Sequence, residues 1–237
     1  MNSLIDETQD LAKNQIVHDK GTKSAYLRRL KVLYVSDSVG CNVNMRLVEE
    51  LSNTRVRTMQ CSGSGKELSH VVQTNLDIPG KEPYSILALA APTDDISNLK
   101  VTDYSRSELE TQVKVSCENM INVAKEALKN HELNNVIVIE HPPRFDQKLK
   151  SELAIFANSV LNDLIENSGI DRIKLGSHKL KCVGVGKTFD ARYRNPLSKR
   201  MDGLHFFGPL GVRSYSESLI DILTVNNRIE FLSQGNL

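Results

Sequence analysis

Val32-Leu33-Tyr34-Val35-Ser36-Asp37-Ser38-Val39-Gly40 is the stretch that decides the fold. Its first four residues are apolar, β-branched or aromatic without a break, which is the pattern of a buried strand. Ser36-Asp37-Ser38-Val39-Gly40 then reads as a strand-to-helix turn that exposes one serine. Ser38 is the candidate nucleophile. The same residues can also form an ordinary N-cap, because Ser and Asp side chains satisfy the first free N–H groups of a helix. The rest of the chain decides between the two.

Downstream, the hydrophobic period switches repeatedly between strand and helix. Residues 44–51 carry Met45, Val48 and Leu51 at helical spacing, and 56–59 read as a second strand. The turn Cys61-Ser62-Gly63-Ser64-Gly65-Lys66 leads to a helix with Leu68, Val71, Val72 and Leu76, which Pro79-Gly80 breaks. Residues 85–90 form a third strand, ending on the polar turn Ala91-Pro92-Thr93-Asp94-Asp95-Ile96. A long helix over about 107–128 places Leu109, Val113, Cys117, Met120, Ile121, Ala124 and Leu128 on one stripe. The fourth strand, 136–139, runs into Glu140-His141-Pro142-Pro143-Arg144-Phe145-Asp146. The helix after it carries Leu153, Phe156, Ala157, Val160, Leu161, Leu164 and Ile165 and is capped by Gly169. A short fifth strand, 173–176, and an irregular stretch, 177–207, precede a last helix with Val212, Tyr215, Leu219, Ile220 and Leu223.

Strands alternating with helices predict an α/β domain, a three-layer α/β/α sandwich around a parallel sheet of about five strands. The domain spans 30–225, preceded by a polar linker or fraying helix over 1–29 and followed by a tail over 226–237. Composition agrees: 237 residues, 40% hydrophobic and 25% charged, suit one sizeable core. With 30 basic and 29 acidic residues the net charge is +1, so no global field draws the chain to nucleic acid or to an anionic membrane. No apolar run approaches the ~18 residues of a membrane span, and the first residues lack the pattern of a signal peptide. The expected setting is soluble, intracellular and cytoplasmic. Cys41, Cys61, Cys117 and Cys182 are far apart, without metal-ligand spacing or a disulfide framework, and are expected as free thiols. No cofactor and no metal are expected.

In a parallel sheet the ligand crevice lies at the carboxyl ends of the strands. The polar turns fall there: Ser38 after the first strand, 62–65 after the second, Thr93-Asp94-Asp95 after the third, His141 and Arg144 after the fourth. The long loop adds Asp202-Gly203-Leu204-His205. An Asp three residues before a His can hydrogen-bond the imidazole and fix its tautomer, leaving the other nitrogen for a nucleophile. Alone, Asp202 equally reads as the cap of a surface turn with Gly203. Together with a serine after the first strand, it reads as the base and orienter of a nucleophile.

Asp37-Ser38 after the first strand, the Thr93-Asp94-Asp95 turn after the third and Asp202-x-x-His205 before the last helix resemble the blocks of the SGNH (GDSL-like) hydrolase superfamily, over roughly residues 31–225. More narrowly, 91–99, 143–146, 156–159 and 202–205 resemble SGNH-like proteins of invertebrate genomes, some associated with non-LTR retrotransposons. The resemblance implies a flavodoxin-like SGNH fold and serine esterase chemistry on a small ester. Ser38 would attack the carbonyl, His205 would accept its proton, and Asp202 would orient the imidazole. The oxyanion would be bound by the Ser38 N–H, a second-block glycine (Gly63, or Gly65) and the third-block side chain at Asp94. Thr93, His141 and Arg144 are candidates to line the substrate site; His141 and Arg144 equally suit a rigid corner built by Pro142-Pro143.

Three positions depart from the superfamily pattern: Ser36 and Pro92 stand where glycine is usual, and Asp94 where the oxyanion-binding asparagine is usual. A carboxylate repels an oxyanion unless protonated, and loss of one such donor costs roughly 10²–10³ in rate. Asp94 therefore opens a second expectation, a catalytically weak or inactive binding module for RNA or protein, with self-association as a further partner class. Two phosphate-loop look-alikes fail on spacing: Lys181 stands where Gly184-Val185-Gly186-Lys187-Thr188 needs a glycine, and Gln60 does so for Gly65-Lys66. His18, His70, His131 and His178 are expected as ordinary polar histidines.

Overall fold

A computed structural model describes residues 29–40, 43–78, 82–144, 146–179 and 208–234, with 208–210 and 226–234 described as backbone only. The opening run forms β1 (Leu30–Ser36), and the chain continues through α1 (Met45–Ser52), β2 (Thr54–Gln60), α2 (Lys66–Leu76), β3 (Ile86–Ala90), α3 (Thr93–Ser97), α4 (Arg106–Asn130), β4 (Asn135–Ile139), α5 (Lys148–Glu166), β5 (Ile173–Gly176) and α6 (Gly208–Gln234). All five strands are parallel, in the order β2-β1-β3-β4-β5. The fold is the expected α/β sandwich.

The three layers follow from the twofold period of a strand. Leu33 and Val35 of β1, Leu87 and Leu89 of β3, and Val136 and Val138 of β4 face one way, onto Leu68 and Val72 of α2, Val113 and Met120 of α4, and Leu153 and Leu161 of α5. Their neighbours Val32, Tyr34, Ile86, Ala88, Ile137 and Ile139 face the other way, onto Val48 of α1 and Leu219, Ile222 and Leu223 of α6. Burial on both faces is why β1, β3 and β4 read as unbroken apolar runs rather than alternating ones. At β5 the sheet and α6 meet so closely that a Cβ on Gly176 would lie 2.9 Å from Ile222 Cγ2 and 3.0 Å from Ile137 Cγ2.

Element ends carry the expected local chemistry in part. The Ser105 hydroxyl accepts from the Glu108 N–H while the Glu108 carboxylate accepts from the Ser105 N–H, a capping box that starts α4. The polar turn expected over 91–96 is instead the short helix α3, with Asp94 and Asp95 in its first turn. Gly169 does not cap α5. That cap is Asn167, and Gly169, at φ +64°, makes the left-handed turn toward β5. The last helix continues to Gln234, beyond residue 225, where the sequence suggested a tail. Among the described residues no helix is long and apolar enough to cross a membrane.

The strand order fixes where a site can form. From β1 the chain steps outward to β2, then returns across β1 to β3 and continues to β4 and β5. The direction of winding reverses between β1 and β3, so the turns leaving these two strands diverge and open a crevice at their carboxyl ends.

Candidate functional site

The turn after β1 is built on Asp37, which is only 2% exposed. Its Oδ1 accepts from the N–H groups of Val39 (2.9 Å) and Gly40 (3.3 Å), which closes the turn locally. Its Oδ2 accepts from both the N–H and the hydroxyl of Thr93, each at 2.5 Å. One buried carboxylate thus joins the turns after β1 and β3 across the switch point. Ser38 and Asp94 are the residues immediately following its two anchor points, and both are half-buried rather than sealed in the core. Gly40 allows the turn to close: an added Cβ would lie 2.6 Å from the Ser36 Cβ and 2.7 Å from the Tyr34 hydroxyl, which donates to the Gly40 carbonyl at 3.2 Å. The Ser36 side chain is therefore accommodated by the bare Cα of Gly40.

The turn after β2 packs against the same region. The Cys61 N–H donates to the Ser36 carbonyl at 2.9 Å, carrying the sheet pairing one step past the strand ends. The Cys61 thiol donates to the Gly63 carbonyl at 3.2 Å, and burial holds that thiol's pKa above its ordinary value. The Ser64 N–H donates to Asp95 of α3, at 3.2 Å to Oδ2 and 3.4 Å to Oδ1. The hydroxyl of Ser116, from α4, donates to Asp95 Oδ2 and lies 2.8 Å from the Ser64 hydroxyl. Gly65, the other glycine of this turn, is the N-cap residue of α2 with open space around it.

Thr93 and Arg144 come together, but facing the protein rather than the crevice. Thr93 is buried with both its N–H and its hydroxyl on Asp37. Arg144, 2% exposed, forms a two-point pair with Asp146 (Nε to Oδ1 2.8 Å, Nη2 to Oδ2 2.6 Å). Its remaining donors reach the Ser97 hydroxyl at 3.2 Å and the Thr93 carbonyl at 3.5 Å. Partial burial opposes ionisation of Asp146, but the hydrogen bonds and charge of Arg144 outweigh it and hold the carboxyl below its usual range. Arg144 is thus the strut of a rigid corner, with its donors committed to α3 and Asp146.

His141 belongs to the same corner. Its backbone N–H donates to Asn158 Oδ1 at 2.8 Å and its carbonyl accepts from Asn158 Nδ2 at 3.0 Å, so α5 holds the end of β4 through one amide side chain. The imidazole is buried, and burial, reinforced by the Arg144 charge and, in acid, by His178, pushes its pKa down to about 3. His178 is a correction to the sequence reading. Rather than an ordinary polar histidine, it packs its ring 5.0 Å from that of Tyr215 on α6, with Nδ1 3.0 Å from the Ser218 hydroxyl. Burial lowers its pKa to about 4. Both rings are neutral at pH 7. His131 also has a partner, its Nδ1 lying 3.7 Å from Asp77 Oδ1.

Asp202 and His205, the expected orienter and base, lie outside the described residues, as do Cys41, Cys182 and the look-alike at 184–188. Cys61 and Cys117 are free and buried, and burial raises Cys117 to about 12. Among the described residues no group of three or more His, Cys, Asp or Glu is arranged to hold a metal ion. The residues that sequence reasoning missed are Asp37, Asp95, Ser116 and Asp146. Asp37 and Asp95 lay inside the quoted motifs, but nothing local tells which turn a carboxylate will bind. Ser116 lies on the same helical face as Leu109, Val113 and Met120, where a single serine among apolar residues carries no signal of its partner.

The fold is that of SGNH/GDSL-type hydrolases and acyltransferases. The chain aligns with phospholipase A1 from Streptomyces albidoflavus over 83% of its own length and 99% of that chain, at 14% identity and a TM-score of 0.53. The C-terminal catalytic domain of peptidoglycan O-acetyltransferase A from Streptococcus pneumoniae aligns over 84% and 96%, at 14% identity and a TM-score of 0.55. A member of the lipolytic G-D-S-L family from Veillonella parvula aligns over 82% and 98%, at 12% identity and a TM-score of 0.54. No family model and no curated protein sequence matches the chain.

Proposed function

We propose that this chain is a serine esterase of SGNH type that hydrolyses short acyl or acetyl esters. In this reading Ser38 attacks the ester carbonyl, His205 takes the hydroxyl proton and returns it to the leaving alcohol, and Asp202 holds the imidazole. Gly63 and the backbone N–H of Ser38 receive the oxyanion. One observation carries the reading: Asp37 ties the β1 and β3 turns together at the switch point, leaving Ser38 half-buried at the mouth of the crevice. The alternative of a structural N-cap does not apply to Ser38, because the next helix, α1, begins at Met45 and is capped by Asn44. The neighbours support the chemistry, since they include a carbohydrate acetylesterase from Sinorhizobium meliloti and an acetylxylan esterase from Geobacillus stearothermophilus. An intracellular, cytoplasmic setting belongs to the same reading and draws on the absence of a disulfide framework in the sequence.

The test is ester turnover with Ser38→Ala and His205→Ala beside the wild type. Both variants are expected to lose turnover by 10³-fold or more, roughly the range seen when a triad member is removed. Turnover unaffected by either substitution contradicts the assignment.

Asp94 favours a second reading, a weakly active or inactive module of this fold that binds RNA or protein, encoded by a mobile element or acting in its assembly. A carboxylate in place of an amide donor weakens oxyanion binding. For RNA the check is affinity that falls steeply with salt. Flat, weak binding at all salt concentrations excludes it.

A further inference from the structure

We infer that Asp95 is a positioning residue that fixes the Gly63–Ser64 peptide, so that the Gly63 N–H is presented to the oxyanion. The inference rests on the esterase reading and adds the part of the machinery that holds the second-block donor in place.

The Gly63–Ser64 peptide is held from both sides. On one side its carbonyl, that of Gly63, accepts from the buried Cys61 thiol at 3.2 Å. On the other its N–H, that of Ser64, donates to the Asp95 carboxylate at 3.2 and 3.4 Å. A peptide plane with both its oxygen and its nitrogen bonded is held against rotation, so the Gly63 Cα and its ψ are anchored, and the preceding N–H starts from a fixed point and has a narrowed range of directions. Among the described residues no protein group accepts from that Gly63 N–H. The candidate Gly65 offers no such arrangement, because its surroundings are open and no side chain holds its peptide. The two second-block glycines are therefore physically distinct, and Gly63 is the one whose geometry is set in advance.

Asp95 is itself held. The Ser116 hydroxyl, from the middle of α4, donates to Oδ2 and contacts the Ser64 hydroxyl at 2.8 Å. The carboxylate is thus gripped by a helix packed on the sheet and by the turn it positions, while its own backbone lies in α3 beside Asp94. Two adjacent aspartates divide the work: Asp94 stands at the third-block position, and Asp95 binds the second block. Oxyanion stabilisation depends on donors preorganised toward the charge that develops in the transition state, so a donor left free to swing loses its effect there and little of its effect on ground-state binding.

The test compares wild type, Asp95→Ala, Asp95→Asn and Ser116→Ala, all as the full chain. Active sites are counted by fluorophosphonate labelling of Ser38, so that kcat is expressed per competent serine and misfolded protein is removed from the comparison. Ester turnover is measured on p-nitrophenyl acetate, and the Ser64 amide is followed by hydrogen exchange. The expected result for Asp95→Ala is a fall in kcat of about 10- to 100-fold, the scale of a misplaced catalytic group, with KM nearly unchanged and Ser64 exchange accelerated. Ser116→Ala, which removes one hydroxyl and leaves the carboxylate, gives a smaller fall in the same direction. Asp95→Asn, which keeps one acceptor, recovers part of the loss. If the wild type turns over ester and the variants keep wild-type kcat per labelled serine, the positioning role is overturned and the esterase stands. If the wild type neither labels nor turns over ester, the esterase reading falls first and the positioning role with it.

Discussion

At the scale of the residue, two buried side chains do most of the joining. Asp37 accepts four hydrogen bonds from two turns, and an alanine there leaves three backbone N–H groups and a hydroxyl without their acceptor. Asp37→Ala is expected to lower stability by on the order of 3 kcal/mol, measured as a shift in the urea midpoint, and to abolish Ser38 labelling even at temperatures where the fold survives. Arg144 acts as a fork: its guanidinium meets Asp146 at two points and reaches α3 with the remaining donors. A lysine has neither the planarity nor the number of fixed donors, so Arg144→Lys should lose most of what Arg144→Ala loses, about 1–3 kcal/mol. Near-wild-type stability of Arg144→Lys in the same urea titration would show that charge alone suffices.

At the scale of the element, the apolar runs and helical stripes named β1, β3, β4, α4 and α5 correctly, because burial on both faces of a parallel sheet leaves an unmistakable composition. Legibility failed where tertiary contacts choose the conformation. Thr93-Asp94-Asp95-Ile96 contains capping and turn residues and reads as a turn; it closes into α3 while Asp37 takes the Thr93 N–H and the Arg144 guanidinium takes the Ser97 hydroxyl. Gly169 reads as a helix cap because glycine commonly follows a last turn, whereas Asn167 ends α5 and the glycine serves the next bend. Contact between elements also makes a prediction at Gly176. An added methyl would meet Ile222 on α6 and Ile137 on β4 at about van der Waals overlap, 2.9 and 3.0 Å. Gly176→Ala should therefore cost about 1–3 kcal/mol by forcing α6 off the sheet, readable as a lowered urea midpoint with an unchanged slope.

At the scale of the whole molecule, the strand order β2-β1-β3-β4-β5 turns a scattered set of polar turns into one rim. That gathering was legible in outline from the alternation of strands and helices. Which carboxylate would bind which turn was not, because such pairings join residues as far apart as Asp37 and Thr93 or Ser64 and Asp95. The rim also sets the response to pH. His141 is buried and His178 half-buried with its ring shielded, and both are neutral, with pKa values lowered to about 3 and about 4 from an ordinary 6.5, so between those values the unfolded chain binds more protons than the folded one. Their contribution to stability is complete above pH 6.5 and is lost as pH falls toward 4 and 3. Burial of Glu140 raises its pKa and acts with the opposite sign, but only from its ordinary value of 4.5 upward to its raised value. The urea midpoint is expected to be flat above pH 7 and to decline below 6.5, with the decline reduced in His141→Gln. A midpoint independent of pH between 7 and 5 would contradict the neutral burial of these rings.

The central claim is that Ser38 is an activated nucleophile at the β1–β3 crevice, and covalent labelling tests it most directly. Treating the full chain with a fluorophosphonate and locating the adduct by mass spectrometry should give one modified peptide, carrying the phosphonyl group on Ser38. That adduct should disappear in Ser38→Ala and become much slower in His205→Ala. No adduct on Ser38 under conditions that label a known serine hydrolase, or equal labelling of surface serines, would contradict the account.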